Sequence, residues 1–554
     1  MRRDYLLITG LAILFFVPFL GGIHLFDRAE IVLAESAREM LATGKWLYPQ
    51  VDFQPFLEIP PFFMWLQAIS MKIFGVNEFA ARFPNALCGV VTLLLVYRIG
   101  LRLHDRLFAW LWVLAWLGSF LPHFYFRTGL VDPWFNLLVF GSLYGFIEFR
   151  WQFLTRNGAR SWYQKYGWLW LGGFLLGLAV LFKGPTAYLI IMLVLGLYWA
   201  RYRFRGKGYL KHLLYFSANA LVVVGIWLGL EMWWYGTDFA DAFFRYQSRH
   251  LFSNDTSGGG FYGANALMLL VGCFPASILA IPNLWGDRQS EDELLESDTL
   301  AACQRSDLAT WMHLFFWVVL GLFFFVKTPA LHYSSLCFFP LTYLGTVTVW
   351  RAAHWGGRPR AVAPLLLVGL LAGLAVMALP ALAINPAPLQ SLLAGNSFGL
   401  EALQAEVGWE WWHMVPGAIL LLATLAGGYY WQRYRPWMAA QVLFGGGAIF
   451  TTLTGMVVVS NLEGHLQRAA IDFYKSKSAE HCNVQPVGFQ TCAHLFYATK
   501  SVKIKSGKPK YLVARVDHLP EATAWPGFRE IDRKNGFVFY EELPAGGTLK
   551  ESGQ

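Results

Sequence analysis

Ionisable side chains in this chain gather at the ends of apolar runs. The stretch GGIHLFDRAEIVLAESAREM, residues 21–40, closes one such run and at once supplies Asp27, Arg28, Glu30, Glu35, Arg38 and Glu39. Further on, PFLEIPPF carries Glu58 ahead of Pro60 and Pro61, FRTGLVDPWF carries Arg127 and Asp132, LFKGPTAY carries Lys183, and FFVKTPALHYSSL carries Lys327 and His332. Carboxylates beside cations suit transfer of a group away from a phosphate ester. A carboxylate takes the proton of an attacking hydroxyl, while Lys, Arg or His neutralises the charge growing on the departing phosphate. Where the transferred group is a sugar, nearby negative charge also favours an oxocarbenium-like transition state.

Each of these residues has a plainer role to weigh. Asp27 and Glu30 are three apart and read as a capping box, Asp27 on the cap and Glu30 reaching back. Glu30 also shares a helical face with Ala34, Ala37 and Leu41, which points into protein or lipid, where a carboxylate needs a partner. Glu58 is either solvated at the bilayer edge or held out by the stiff Pro60–Pro61 backbone. Asp-Pro is a helix-start signal, so Asp132 also caps the run that follows. Lys183, Lys327 and His332 sit where long polar side chains snorkel to the interface. The segment FRYQSRHLFSNDTSGGGFYG offers Arg245, Arg249, His250 and Tyr262 as contacts of a lid or substrate loop, with Gly258–Gly260 supplying flexibility; a plain connector is an equal alternative.

The elements that must position these groups are membrane spans. Of 554 residues, 56% are hydrophobic and 14% charged, with 25 Trp, 24 Tyr and 46 Phe. Apolar windows of the roughly 17 to 25 residues that cross a bilayer as helices recur along the chain. They lie near 5–23, 80–101, 107–126, 133–149, 167–182, 184–200, 213–232, 263–285, 310–326, 333–350, 361–384, 413–431 and 438–460. The expected fold is therefore a polytopic α-helical membrane protein with about 13 transmembrane helices. A barrel would show alternation instead. The first run lacks a small-residue cleavage site and reads as a retained helix.

The net charge of +9 reflects topology more than a nucleic-acid partner. Lys and Arg cluster in alternate short segments, which places those segments and the N-terminus in the cytoplasm. An odd number of spans then puts the C-terminus outside. Residues 1–460 are read as the membrane domain, with outer loops 24–79 and 233–262, and residues 461–554 as a small periplasmic α/β domain whose runs KYLVARVDHL and FVFYEE read as strands. The first outer loop holds a helix-period stretch expected to lie in the interface. Cys482 and Cys492 share the soluble segment, where a disulfide is compatible with an oxidising compartment. No Cys/His cluster has ligand spacing, so the sequence requires no cofactor and no metal, and leaves room for a divalent ion.

Taken in order, DRAEIVLAESAREMLATGKWLYPQVDFQPFLEIPPFFMWL, FGVNEFAARFPNAL, TGLVDPWF, LFKGPTAY, FFRYQSRHLF and KTPALHYSSLCFFPL resemble the bacterial aminoarabinose transferases of lipid A, kin of the protein O-mannosyltransferases in the GT-C class. The resemblance implies thirteen spans, a periplasmic C-terminal domain and a sugar taken, with inversion, from polyprenyl phosphate at the outer face of the inner membrane. On it, the family's first-loop Asp-Glu pair falls on Ala29–Glu30, and its Glu-Lys-Pro-Pro on Glu58–Ile59–Pro60–Pro61. Asp132, Lys183 and Lys327 match, and His332 falls in the stretch after the Thr-Pro turn. The departures suggest a different sugar or acceptor.

The sequence thus points to a hexosyl or pentosyl transferase using a polyprenyl-phosphate-linked donor and a lipid A-like or protein acceptor, monomeric among membrane lipids and without nucleic acid. Asp27, Glu30, Asp132 and Glu58 are the candidate catalytic acids, and Lys183, Lys327, Arg127 and His332 the candidate phosphate ligands. A secondary transporter or lipid flippase is the alternative; it would show internal repeats and helices interrupted near the midplane. A membrane assembly platform is a third reading, under which the ionisable positions could be replaced without loss.

Overall fold

The computed structural model describes residues 2–26, 29–155, 162–201, 203–204, 208–252, 263–285, 300–324, 334–356, 361–480, 482–500, 509–519, 525 and 527–543, apart from the side chains of 154–155, 239–240 and 247–252. Among the described residues each apolar run carries a helix or a broken pair of helices, the first of them, Arg2–Phe16, ending short of residue 23. Seven described helices are long and apolar enough to cross a membrane, from Glu78–Leu103 to Pro436–Leu466, and an eighth crossing results if Ala264–Gly272 and Ala276–Asn283, bent by 105°, form one span. The apolar helices Arg106–Gly118 and Thr186–Arg201 are shorter, so the total of thirteen stays an expectation of the sequence.

Close helix contacts use small residues, because lipid provides no hydrophobic drive between helices and tight packing must do the work. Asp132–Thr155 and Trp162–Lys183 cross at Gly145 and Gly172, where a Cβ on Gly145 would lie 2.9 Å from the Gly172 Cα.

The long loop after the first helix departs from expectation. Its helix, Ala29–Thr43, does not lie in the interface with a charged face in water: Ile31, Leu33, Ala34 and Ala37 are buried, and so are Glu35, Arg38 and Glu39. Burial is tolerated because the charges are satisfied internally. Arg38 donates to Glu35 through Nε at 2.7 Å and through a terminal nitrogen at 2.6 Å. A two-stranded ribbon, Gln50–Val51 against Gln54–Pro55, and the apolar helix Phe62–Phe74 complete the loop.

The last membrane helix runs on to Leu466, past residue 460. Beyond it lie the helices Arg468–Lys477 and Ala493–Tyr497 and a four-stranded sheet in the order Val484–Val487, Tyr511–Arg515, Phe537–Glu542, Phe528–Lys534. The first pair is parallel and the others antiparallel. This unit is fastened to the first loop. The Leu25 amide donates to the Tyr497 hydroxyl at 2.8 Å, Gln467 donates to the Leu25 carbonyl at 3.0 Å, and Lys500 donates to Asp52 at 2.5 Å.

Glu39 sits under this junction and gives it a pH dependence. Its Oε2 accepts the Phe53 amide at 2.9 Å. Burial and the neighbouring Glu35 carboxylate push it up to about 8. A carboxyl that holds its proton more tightly folded than unfolded contributes stability that is complete below its ordinary range and lost as pH rises through the folded value. The thermal midpoint of the purified protein should therefore fall by several degrees between roughly pH 6 and roughly pH 9. Glu39→Gln should flatten that slope; an unchanged slope in the variant would exclude Glu39 as its source.

Candidate active site

The turn from Arg127 to Asp132 is held by three buried side chains from three elements. Glu30 Oε1 accepts the Gly129 amide. Gln67 Nε2, from Phe62–Phe74, donates to the Ala81 carbonyl at 2.9 Å and to Gly129 at 3.4 Å. Asn85 Nδ2, from Glu78–Leu103, donates to the Thr128 and Leu130 carbonyls, each at 2.6 Å. Amides and carbonyls buried in a turn need such partners, and here the partners also fix where the next helix begins. That helix, Asp132–Thr155, opens on Asp132 itself, only 2% exposed.

Asp132 meets Lys183, the last residue of Trp162–Lys183, whose Nζ donates to Oδ1 at 2.5 Å. Gly184, at φ +96°, ends that helix immediately after it. The Lys183 ammonium also lies 5.4 Å from the centre of the Phe135 ring. Glu58 is exposed on the bend before Pro60 and Pro61. The residues around it lie nearby: Leu57 and Phe62 pack against the cluster of Leu181, Trp227 and Phe243, and the Phe62 and Phe182 rings lie 6.3 Å apart. The fold thus joins Asp132 to Lys183 and sets residues flanking Glu58 beside the end of the Lys183 helix.

Glu30 and Arg127 have a different kind of surrounding. Both Glu30 oxygens are occupied: besides Gly129, Oε1 accepts from Arg82 Nε at 3.1 Å, and Oε2 accepts from Arg82 at 2.7 Å and from the Phe26 amide at 2.8 Å. The last contact reaches back past Asp27, the expected cap, to the residue before it. Arg127 donates to the Phe15 carbonyl at 2.9 Å and to Pro18 at 2.8 Å. Burial and the Arg82 charge lower it to about 10. These two groups tie the end of the first helix in place, and their hydrogen bonds point into protein.

The remaining candidates are more scattered. Arg245 is exposed on the helix Thr237–Phe252, with its Nε donating to the Asp241 carbonyl at 3.3 Å. Arg249 and His250 follow on the same helix, where the backbone alone is described. Asp27, Tyr262, Lys327 and His332 lie outside the described residues, as does the glycine run of the second loop. Among the described residues, no group of three or more His, Cys, Asp or Glu side chains is arranged to hold a metal ion.

A family model described as dolichyl-phosphate-mannose-protein mannosyltransferase matches residues 58–228. An undecaprenyl phosphate-α-4-amino-4-deoxy-L-arabinose arabinosyl transferase of Pectobacterium carotovorum is 27% identical over 456 residues, 77% of this chain and 75% of the relative. One of Edwardsiella ictaluri is 26% identical over 544 residues, 95% of this chain and 91% of the relative. Among solved structures, ArnT from Cupriavidus metallidurans in the apo state superposes with a TM-score of 0.72 over 97% of this chain and 98% of its own, at 18% identity. The same protein bound to undecaprenyl phosphate gives 0.71. The chain has the ArnT fold. It is a multi-pass membrane protein of the GT-C type that resembles the lipid A aminoarabinose transferases along nearly its whole length.

Within this ArnT fold, sequence reading gave no role to Arg82, Gln67 or Asn85. Arg82 carried a signal: a guanidinium inside the apolar window 80–101 requires buried partners. Gln67 and Asn85 carried none, since their carbonyl partners are reached only through tertiary packing.

Asn85→Ala leaves the Thr128 and Leu130 carbonyls without this donor and frees the start of the Asp132 helix. We expect kcat for group transfer to fall by about 10- to 100-fold with the donor KM nearly unchanged, the pattern of a displaced reacting group. Steady-state kinetics read both numbers, and an unchanged kcat would mean that the turn does not set Asp132.

Proposed function

We propose that this chain transfers a sugar from a polyprenyl-phosphate donor to an acceptor at the outer face of the bacterial inner membrane. The buried Asp132–Lys183 pair carries this reading. It sits in a chain whose fold and near-full-length resemblance both lead to polyprenyl-phosphate arabinosyl transferases. In the step itself an acceptor oxygen attacks the anomeric carbon from the face opposite the phosphate. The carbon–oxygen bond to phosphate breaks with its electron pair leaving on the polyprenyl phosphate, and the acceptor's proton passes to a carboxylate.

Lys183 faces the departing phosphate, where an ammonium held in a low-dielectric boundary stabilises the growing charge. Asp132 keeps that ammonium aimed. Glu58, presented on a stiff bend, is the carboxylate best placed to meet an acceptor arriving from water. Glu30 and Arg127 serve the frame that holds these groups. The acceptor is a lipid A-like glycolipid or a protein, the working form is a monomer, and residues 461–554 form a periplasmic domain over the first loop. The second loop, with Arg245, Arg249, His250 and Tyr262, covers the substrate.

The test uses the purified chain in lipid vesicles with a radiolabelled polyprenyl-phosphate pentose or hexose and a mixed envelope-lipid acceptor. Label should move to a new lipid or protein product, and mass analysis of envelope lipids from a deletion strain should show the same substituent missing. Movement of intact labelled donor between leaflets, with no transfer, would overturn this reading in favour of a flippase.

A further inference from the structure

Eight Asp and Glu residues among those described are buried, and Glu231 differs from the rest. Asp4, Glu30, Glu35, Asp132, Glu148 and Glu463 each face a cationic side chain, and Glu39 accepts a backbone amide. Glu231 is 0% exposed, yet neither of its oxygens has a hydrogen-bond partner among the described residues. A carboxylate is strongly disfavoured in such a place unless a cation or a donor comes to it.

Its position suggests where that cation would come from. Glu231 is one turn from the outer end of Tyr209–Tyr235, two residues before the exposed Trp233 and Trp234, residues of the kind that mark a bilayer boundary. One turn below it, Trp227 packs with Leu181 and Phe243, with Leu47, Tyr48 and Leu57 alongside. Leu57 adjoins Glu58 and Leu181 is two residues before Lys183, so this carboxyl shares the junction of the candidate active site.

Around it the walls are aromatic. The Tyr48 and Tyr235 rings lie 5.1 Å apart. Burial, then the carboxylates of Glu231 and Asp238, raise the Tyr48 phenol above its ordinary value, which places both acids near that ring. The exposed Lys45 lies over the Tyr48 ring at 5.8 Å and forms no ion pair with Glu231. A carboxylate flanked by aromatic faces is the chemistry that receives an ammonium group, through charge and cation–π attraction together.

We propose that Glu231, with Tyr48 and Tyr235, forms a subsite for one ammonium group carried by a substrate, either the transferred sugar or the acceptor. The proposal rests on the glycosyl-transfer reading above and adds the feature by which a substrate is selected. The isosteric Glu231→Gln removes the charge and keeps the shape.

The test compares the full chain and this variant in phosphatidylcholine vesicles. One arm uses undecaprenyl phosphate carrying 4-amino-4-deoxy-arabinose or its N-formyl derivative; the other uses a lipid acceptor with or without an ethanolamine phosphate. In one arm, Glu231→Gln should lower kcat/KM about 30-fold for the substrate with the amine and by less than about 2-fold for its uncharged counterpart. A loss that follows the donor amine assigns the group to the sugar, and a loss that follows the ethanolamine assigns it to the acceptor.

Equal losses with charged and uncharged substrates, or no loss in either arm, would overturn the subsite. Thermal stabilisation by the two donors gives a readout that needs no turnover. The amino donor should stabilise the parent more than the formyl donor does, and Glu231→Gln should abolish the difference if the sugar carries the group. If the parent transfers nothing while this difference is seen, the transfer reading fails and the subsite stands. Should Glu231→Gln fold poorly, Tyr48→Leu should show a smaller loss of the same selectivity, and unchanged selectivity there would count against the subsite.

Discussion

Asp132→Asn and Lys183→Ala should each lower kcat for sugar transfer by about a thousandfold, as expected when a preorganised charge at a developing phosphate is lost. Lys183 is the end of its helix and Asp132 the start of another, so both side chains project from fixed backbone, and their 2.5 Å contact leaves little freedom to either. Removing the ammonium leaves a buried carboxylate where the phosphate must develop charge. Removing the carboxylate charge lets the ammonium turn away.

The two changes act on one unit, so the double variant should be little worse than either single one. Binding separates the roles: Lys183→Ala should weaken capture of bare polyprenyl phosphate, and Asp132→Asn should leave it nearly intact. Transfer assays on matched, monodisperse samples decide the matter. Retention of more than about a tenth of parental kcat by Asp132→Asn would remove the pair from the chemistry.

Arg82→Met should destabilise the protein by about 3 to 5 kcal/mol, the range for breaking a buried ion pair from one side. Its guanidinium holds more than Glu30. It donates to the carbonyls of Leu20 at 2.8 Å, Ile23 at 2.7 Å and His24 at 2.9 Å, closing the corner where the first helix turns into the first loop. Without it Glu30 is left charged and buried, and the carbonyls lose their donor. Thermal unfolding and the monodisperse fraction on extraction should both drop sharply.

The compensating change discriminates the roles of Glu30. Glu30→Gln together with Arg82→Met removes both charges, and should recover part of the stability and of the transfer activity if Glu30 is an anchor. Recovery of fold with no recovery of activity would make Glu30 part of the chemistry instead.

The contrast between these two predictions follows the contrast between what could and could not be read from the chain. The spans were legible because about 20 apolar residues in a row have few other fates. The strands Tyr511–Arg515 and Phe537–Glu542 announced themselves by alternation and by β-branched and aromatic content. Asp132 and Lys183 stood out as charges at the ends of apolar runs, and they do meet. The helix Ala29–Thr43 was expected in the interface, because an amphipathic pattern does not reveal that Arg38 donates to the carbonyl of Lys500, 462 residues away.

By itself the sequence determined which segments are helical, which are apolar enough to lie in a bilayer, and which ionisable groups stand at the ends of apolar runs, since these follow from local composition and the cost of putting charge in hydrocarbon. Only the tertiary structure decided the employment of each charge. Glu30 became an anchor through Arg82, 52 residues along the chain, while Asp132 found Lys183 51 residues away. Glu231 remained without a partner among the described residues. A buried charge takes its role from the group that compensates it, and that group is named by packing between distant segments, which no local pattern records.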